Sequence, residues 1–539
     1  MFSKNQFPLL VAIIGFIFTL LIFLYISINE NNGMLIYGLD DAYIHLSIAK
    51  NLAFHGNWGV SPDYFSSSSS SLLWPVLLSI GYLAFGAGEI MPFVLNVLFL
   101  MAVLIFTSSK IFPSGIKWYY KLVALFILIF TTAFPALAFG GMEHSLQIFI
   151  SLMFVYYAAI ILSVNVDDAP AQKTNMNFLL TSFLLTLVRY EGMFLITVVF
   201  ILLLLRRRFS LSFLFLIISV LPIILFGLFS ISNDAYFLPN SILLKGAIAR
   251  FSTSKEFYKW IYELFYTTGF NSFHTGYLFS FMIISAACLW FLRVNRKMND
   301  FLFWFGLITV LTTILHVKVA DVGYFYRYDA YLVFLFLVFI IASIIQMRSM
   351  IEIKIRSFEK SWQKIVFGLI IVFLLAPIIA RGSIAFKQVT EASNDRFVEH
   401  ITAANFINKY YNNSAIVLND IGAASFYSDA RILDAYGLGS NEPIEFRKRT
   451  GYTKKDLYNW AQKANAKIAI LQTGWNEISK RIPNKWIKVA EWEIPRNVIF
   501  GDTKVGIYAV DSSEKNFLIK NINEFSALIP KGIRQKRLY

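Results

Sequence analysis

Runs of about 18 to 22 apolar residues recur along the first two thirds of this chain, each long enough to cross a bilayer core as a helix. They begin with residues 8–28 and continue through 90–109, 121–139, 144–163, 178–205, 209–231, 276–293, 299–318, 328–346 and 365–381. Of 539 residues, 57% are hydrophobic and 15% charged, a balance no soluble globular domain has. The chain reads as a polytopic α-helical membrane protein. The first run is long and has no small-residue cleavage site after it, so it reads as a retained span and not a signal peptide.

The formal net charge is +15. Much of the excess lies in short loops between spans, which favours the positive-inside rule over nucleic-acid binding. Lys4, the lysines at 110, 117 and 121, Arg206 to Arg208, Arg293 with Arg296 and Lys297, and the basic stretch 348–364 belong on the inner side. Parity then requires that only one of 71–86 and 90–109 cross. The preferred assignment lays 71–86 in the interface and breaks 178–205 at "VRYEG" into two short helices. The assignment with a straight 178–205 and a crossing 71–86 ranks second because it puts three lysines outside. The expected count is about eleven spans, with the N-terminus cytoplasmic and the C-terminus extracytoplasmic. The single cysteine, Cys288, excludes an intrachain disulfide and reads as a small core residue.

From residue 382 the apolar runs stop. "SAIVLND", "ARILDAYG", "AKIAILQT" and "KVGIYAV" read as strands, and "KKDLYNWAQKANA" (454–466) as an amphipathic helix. Residues 1–381 are therefore expected to form the membrane domain, with outer loops at 29–89 and 232–275. Residues 382–539 are expected to form an outer α/β domain. The Ser66–Ser71 run reads as a polar loop ending in a helix cap.

Polar residues gather on the outer side. Asp40 and Asp41 follow the first span, with His45 one turn later. The bland reading makes Asp40 the cap of its own helix and Asp41 a first-turn carboxylate against the dipole. The sharper reading makes one of them a general base. Lys245, Arg250, Arg327 and Arg189 read either as snorkelling cations or as a clamp for a phosphate leaving group. A buried Arg189 needs a partner, and Glu143 and Glu191 are candidates. His45, His55, His144, Asp40, Asp41 and Glu143 show no zinc spacing, so no obligatory metal is expected, although a divalent ion is compatible with them. No phosphate-binding glycine loop or nucleophile elbow is present.

The stretch "GLDDAYIHLSIAKNLAFHGNWGVSPDYFSSSSSSLLWPVLL" resembles the first outer loop of the GT-C glycosyltransferase superfamily. That group includes the lipid A aminoarabinose transferase, the protein O-mannosyltransferases and the mycobacterial arabinofuranosyltransferases. "GMEHSL" (141–146), "RYEG" (189–192), "LPNS" (238–241) with Lys245, and "NDIGAASFYSDARILDAYGL" (419–438) resemble further family elements in the same order. Departures at His144, Tyr190 and Ser241 remove no charged group.

The resemblance implies a GT-C fold and an inverting transfer of a hexosyl or pentosyl unit from a polyprenyl-phosphate donor. The acceptor would be a cell-envelope glycan, lipid or protein at the outer face of a bacterial cytoplasmic membrane. By position it implies Asp40, then Asp41, as the base. Arg327, Lys245 and Arg189 would hold the donor phosphate, and His45, Glu143, Glu191 and Asn240 would support them. The rival reading is a transporter or flippase of lipid-linked sugar, which would usually show internal repeats; none is visible.

Overall fold

The computed structural model describes residues 6–113, 115–165, 171–245, 276–294, 300–356, 360–449, 451–494, 497–499 and 502–539. Eight described helices are long and apolar enough to cross a membrane, and a bent pair, Trp118–Thr131 with Phe134–Gly140, makes a ninth. The segment expected to break does so: Gln172–Val188 and Gly192–Leu205 are separate helices, with Arg189 in extended conformation between them. Among the described residues eight or nine helices are therefore long enough to span, against about eleven expected, and Gly192–Leu205 is a shorter apolar helix. Leu73–Phe85, expected in the interface, is a 13-residue helix, about 20 Å long and too short to span upright. On Phe209–Ser232 large apolar side chains such as Ile217 and Leu225 face outward, as a bilayer requires, while Ser219 is buried.

The last membrane helix, Ser361–Arg396, does not stop at the domain boundary expected at 381. It runs on through a π-turn at Phe397–Ile401 into Thr402–Tyr411, one rod joining membrane and outer regions. Ser393 on this rod donates to the Ile36 carbonyl at 2.7 Å and bonds Ser27 at 2.8 Å, fixing the first outer loop against it.

The C-terminal region, expected on the outer side, is a six-stranded sheet in the order β2-β1-β3-β5-β4-β6. The strands are β1 (Ala415–Leu418), β2 (Arg431–Asp434), β3 (Ala466–Gln472), β4 (Ile487–Glu493), β5 (Lys504–Ala509) and β6 (Arg534–Arg537). β1 pairs in parallel with β2 and β3; the remaining pairings are antiparallel. Alternating side chains face two cores. Ile416, Ile468 and Ile507 pack with Phe406 and Leu518, and Val417, Ala469 and Leu471 pack with Leu457 and Trp460.

The helix Asp40–His55 links the two regions. Ala42, Tyr43, Leu46 and Ala49 belong to the membrane core, whereas Ile44 and Ile48 belong to the core shared with the sheet. Its ten buried residues explain why it carries no hydrophilic face.

Candidate active site

The two adjacent carboxylates part company. Asp40 does not cap its own helix: the cap position is Leu39, with no side-chain bond. Instead Asp40 Oδ2 accepts from the Gly422 backbone N–H at 2.6 Å and Oδ1 from that of Ala423 at 3.1 Å. It thus holds the start of the helix Gly422–Tyr427 in the outer domain, and the cap reading is corrected to a cap for another helix. A Cβ on residue 422 would strike Asp40, which is why glycine stands there. Arg396 Nη1 lies 3.4 Å from Asp40 and 3.3 Å from Asp420, and His400 Nε2 lies 2.6 Å from Asp420. Burial first, and then the Asp420 carboxylate, push Asp40 up to about 8.

Asp41 points the other way. Its Oδ2 accepts from Arg327 Nη2 at 2.8 Å, and its side chain keeps 28% exposure against 3% for Arg327. The Arg327 guanidinium lies over the rings of Tyr328 and Tyr324, at 4.7 and 5.0 Å. Its Nε and Nη1 are buried and have no hydrogen-bond partner among the described residues. A buried guanidinium with donors to spare is a site for an anion.

Arg189 is held from both sides. Glu191 takes its Nε at 3.0 Å and its Nη2 at 2.5 Å, and Glu143 takes its Nη1 at 2.5 Å. Glu143 also accepts from Ser70 at 3.1 Å and lies 3.4 Å from His45, whose Nδ1 meets Ser69. His144 Nε2 lies 3.3 Å from Arg189. The serine run is therefore no solvated loop. Ser67, Ser69 and Ser71 are buried, and Ser71 Oγ accepts from the Trp74 N–H at 3.1 Å, although the cap position of that helix is Leu72. Asn240 stitches this loop to the outer domain: its N–H donates to the Ser67 carbonyl at 2.8 Å and its Nδ2 to the Leu438 carbonyl at 3.2 Å. Lys245 ends the short helix Asn240–Lys245; its side chain, and Arg250, lie outside the described residues.

Two cavities meet at Asp41. One, of about 380 Å³, is walled by Met193, Phe194, Ile223, Ile242 and Val319 and reaches Ser70, Arg189 and Glu191 at its polar end. The other, of about 930 Å³, is lined by Arg327, Arg381 and Arg396 below and by residues of the outer domain above.

The histidines and carboxylates weighed as metal donors do not converge. His45, His144 and Glu143 join the Arg189 network, and His55 is exposed at the end of its helix. Asp40 instead meets His400 and Asp420, whose ligand atoms all lie within 4.8 Å of one another. This trio could hold a cation, but the Arg396 guanidinium already lies beside both carboxylates. The sequence reading gave no role to Arg381, Arg396 and His400, which carry no motif, nor to Asp420, Ser69 and Ser70, which stand inside quoted family elements but whose partners lie far along the chain or in the fold.

The spanning helices and the sheet define the class: a multi-pass membrane protein with the GT-C fold and a C-terminal sheet domain. The chain is similar in structure to ArnT from Cupriavidus metallidurans bound to undecaprenyl phosphate, with a TM-score of 0.50 at 11% identity over 93% of this chain and 98% of that one. The apo state of ArnT gives 0.48 at 12% identity over 92% and 98%. The oligosaccharyltransferase AglB from Archaeoglobus fulgidus, in complex with an inhibitory peptide and a dolichol-phosphate, gives 0.46 at 11% over 92% and 74%. At such identities the likeness defines the fold alone, and it rests on the first comparison. A domain-family model described as a domain of unknown function, DUF8728, matches residues 387–508. No curated protein matches the chain by sequence.

Proposed function

We propose that the protein is an inverting glycosyltransferase that moves a sugar from a polyprenyl-phosphate donor to a cell-envelope acceptor. It works at the outer face of a bacterial cytoplasmic membrane, with its N-terminus inside. The observation that carries this reading is the Asp41–Arg327 pair, set where an apolar cavity between spanning helices meets a polar cavity under the outer domain.

The apolar cavity suits the prenyl chain, which enters from the bilayer. The donor phosphate lies toward Arg327, Lys245 and the Arg189 end. Arg189 is already neutralised by two glutamates, so it shapes the pocket, while the spare Nε and Nη1 donors of Arg327 carry the phosphate charge.

Asp41 accepts the proton of the acceptor hydroxyl as its oxygen attacks the anomeric carbon. The new C–O bond forms while the bond from that carbon to the phosphate oxygen breaks, and the electron pair leaves on the polyprenyl phosphate. One in-line displacement inverts the anomeric centre. The Coulombic grip of Arg327 grows as the leaving phosphate gains its second charge, so it stabilises the transition state more than the ground state. Asp40, committed to the outer domain, is a positioning residue in this scheme. No obligatory metal is invoked, because the arginines supply the positive charge.

The test is transfer of labelled sugar from a panel of polyprenyl-phosphate sugars into envelope fractions by the purified full-length protein. Transfer from at least one donor, with the product's anomeric configuration opposite to the donor's, is expected. No transfer from any donor, or retained configuration, overturns the reading.

A further inference from the structure

The roof of the larger cavity has features that transfer chemistry does not use. The chain passes from β1 to β2 on one side and then to β3 on the other, so β1 and β3 flank a topological switch point. Ligands of open α/β sheets bind outside the carboxyl ends of the strands at such a crevice. Here that crevice opens into the cavity. Asn419 and Asp420 follow β1, Gln472 ends β3, and Trp475 lies just beyond.

Asn419 is 4% exposed. Its Oδ1 accepts from the Gln472 backbone N–H at 3.0 Å, while its Nδ2 is buried with no partner among the described residues. A buried amide donor lining a cavity is costly unless a ligand satisfies it. Beside it the half-buried Trp475 ring packs on Tyr436, centroids 4.7 Å apart. Arg447 covers Tyr436 at 5.4 Å. Asp434 holds the loop that presents Tyr436, accepting from its N–H at 2.8 Å and from that of Gly439 at 2.7 Å.

An aromatic face flanked by an amide donor and the carboxylate of Asp420 is suited to a neutral ring with an apolar C–H face and hydroxyls at its rim.

We propose that this crevice is a sugar-binding subsite that holds the acceptor's hydroxylated ring against Trp475 and Asn419. The proposal rests on the transferase reading above and names the acceptor class: a glycan or the sugar headgroup of a glycolipid. Free glycosides and lipid-linked sugars share this chemistry.

Two measurements test it on the full-length protein in nanodiscs. Saturation-transfer NMR with methyl glycosides of glucose, galactose, mannose, rhamnose and N-acetylglucosamine should mark the ring C–H protons of at least one. Trp475→Ala should abolish that signal, Trp475→Phe should keep it, and Asn419→Ala should weaken it roughly fivefold. In the transfer assay, Trp475→Ala should raise the half-saturating envelope acceptor about tenfold while leaving the donor's within about twofold. No signal from any glycoside, an undiminished signal in Trp475→Ala, or competition by envelope peptides alone overturns the proposal. If wild type transfers nothing yet binds a glycoside through Trp475, the transferase reading fails and the subsite stands.

Discussion

At the residue scale, Asp40 and Asp41 are neighbours in sequence and opposites in environment. The sequence shows two carboxylates and ranks the first ahead. Their division of labour depends on Gly422 and Arg396, more than 350 positions away, so it was not legible in one stretch of chain. Asp41→Asn is expected to lower transfer about 10²- to 10⁴-fold, as loss of a general base does. The pairing of Arg189 with Glu143 and Glu191 was legible, because a charge in an apolar segment demands partners. Arg189→Met would strand the buried Glu143 carboxylate and the half-buried Glu191 carboxylate. It is expected to destabilise the protein by about 3–5 kcal/mol, read as a lower melting temperature in detergent.

At the element scale, the spans and the break at residues 189–191 followed from hydropathy and from basic loops. Strands β1, β2, β3 and β5 followed from short apolar runs between turn residues. β4 was hidden because Lys488, Glu491 and Glu493 dilute its pattern, and β6 because "RQKR" is an edge strand of polar residues that pairs only with β4. The Ser66–Ser71 run hides its role for another reason: serine burial is set by what packs on it, and here that is the Arg189 network.

The helix Gly422–Tyr427 docks on Asp40, and a methyl on residue 422 would wedge the contact apart. Gly422→Ala is expected to cost about 1–3 kcal/mol of stability, measured by heat or denaturant unfolding.

The same contact carries a pH dependence. A carboxyl near 8 in the folded chain binds its proton more tightly there than in the unfolded chain. Its stabilisation is complete below about 4 and is lost as pH rises through about 8. The melting temperature should therefore fall between pH 6 and pH 9, and Asp40→Asn should flatten that slope.

At the scale of the whole molecule, the rod from Ser361 to Tyr411 and the helix Asp40–His55 make one working unit of membrane and outer regions. The C-terminal domain packs Ile416 and Leu418 with Ile44 and Ile48 of the helix Asp40–His55, so it closes the site and does not merely hang from it. With arginines supplying the positive charge, incubation with EDTA is expected to leave transfer unchanged; a loss restored by a divalent ion would contradict this.

The most direct test of the central claim compares Asp41→Asn with Asp40→Asn in single-turnover transfer at pH 6. Loss of about 10² or more in Asp41→Asn, with Asp40→Asn within about tenfold of wild type, is the result expected. Full transfer by Asp41→Asn, or the reverse ranking, would contradict it.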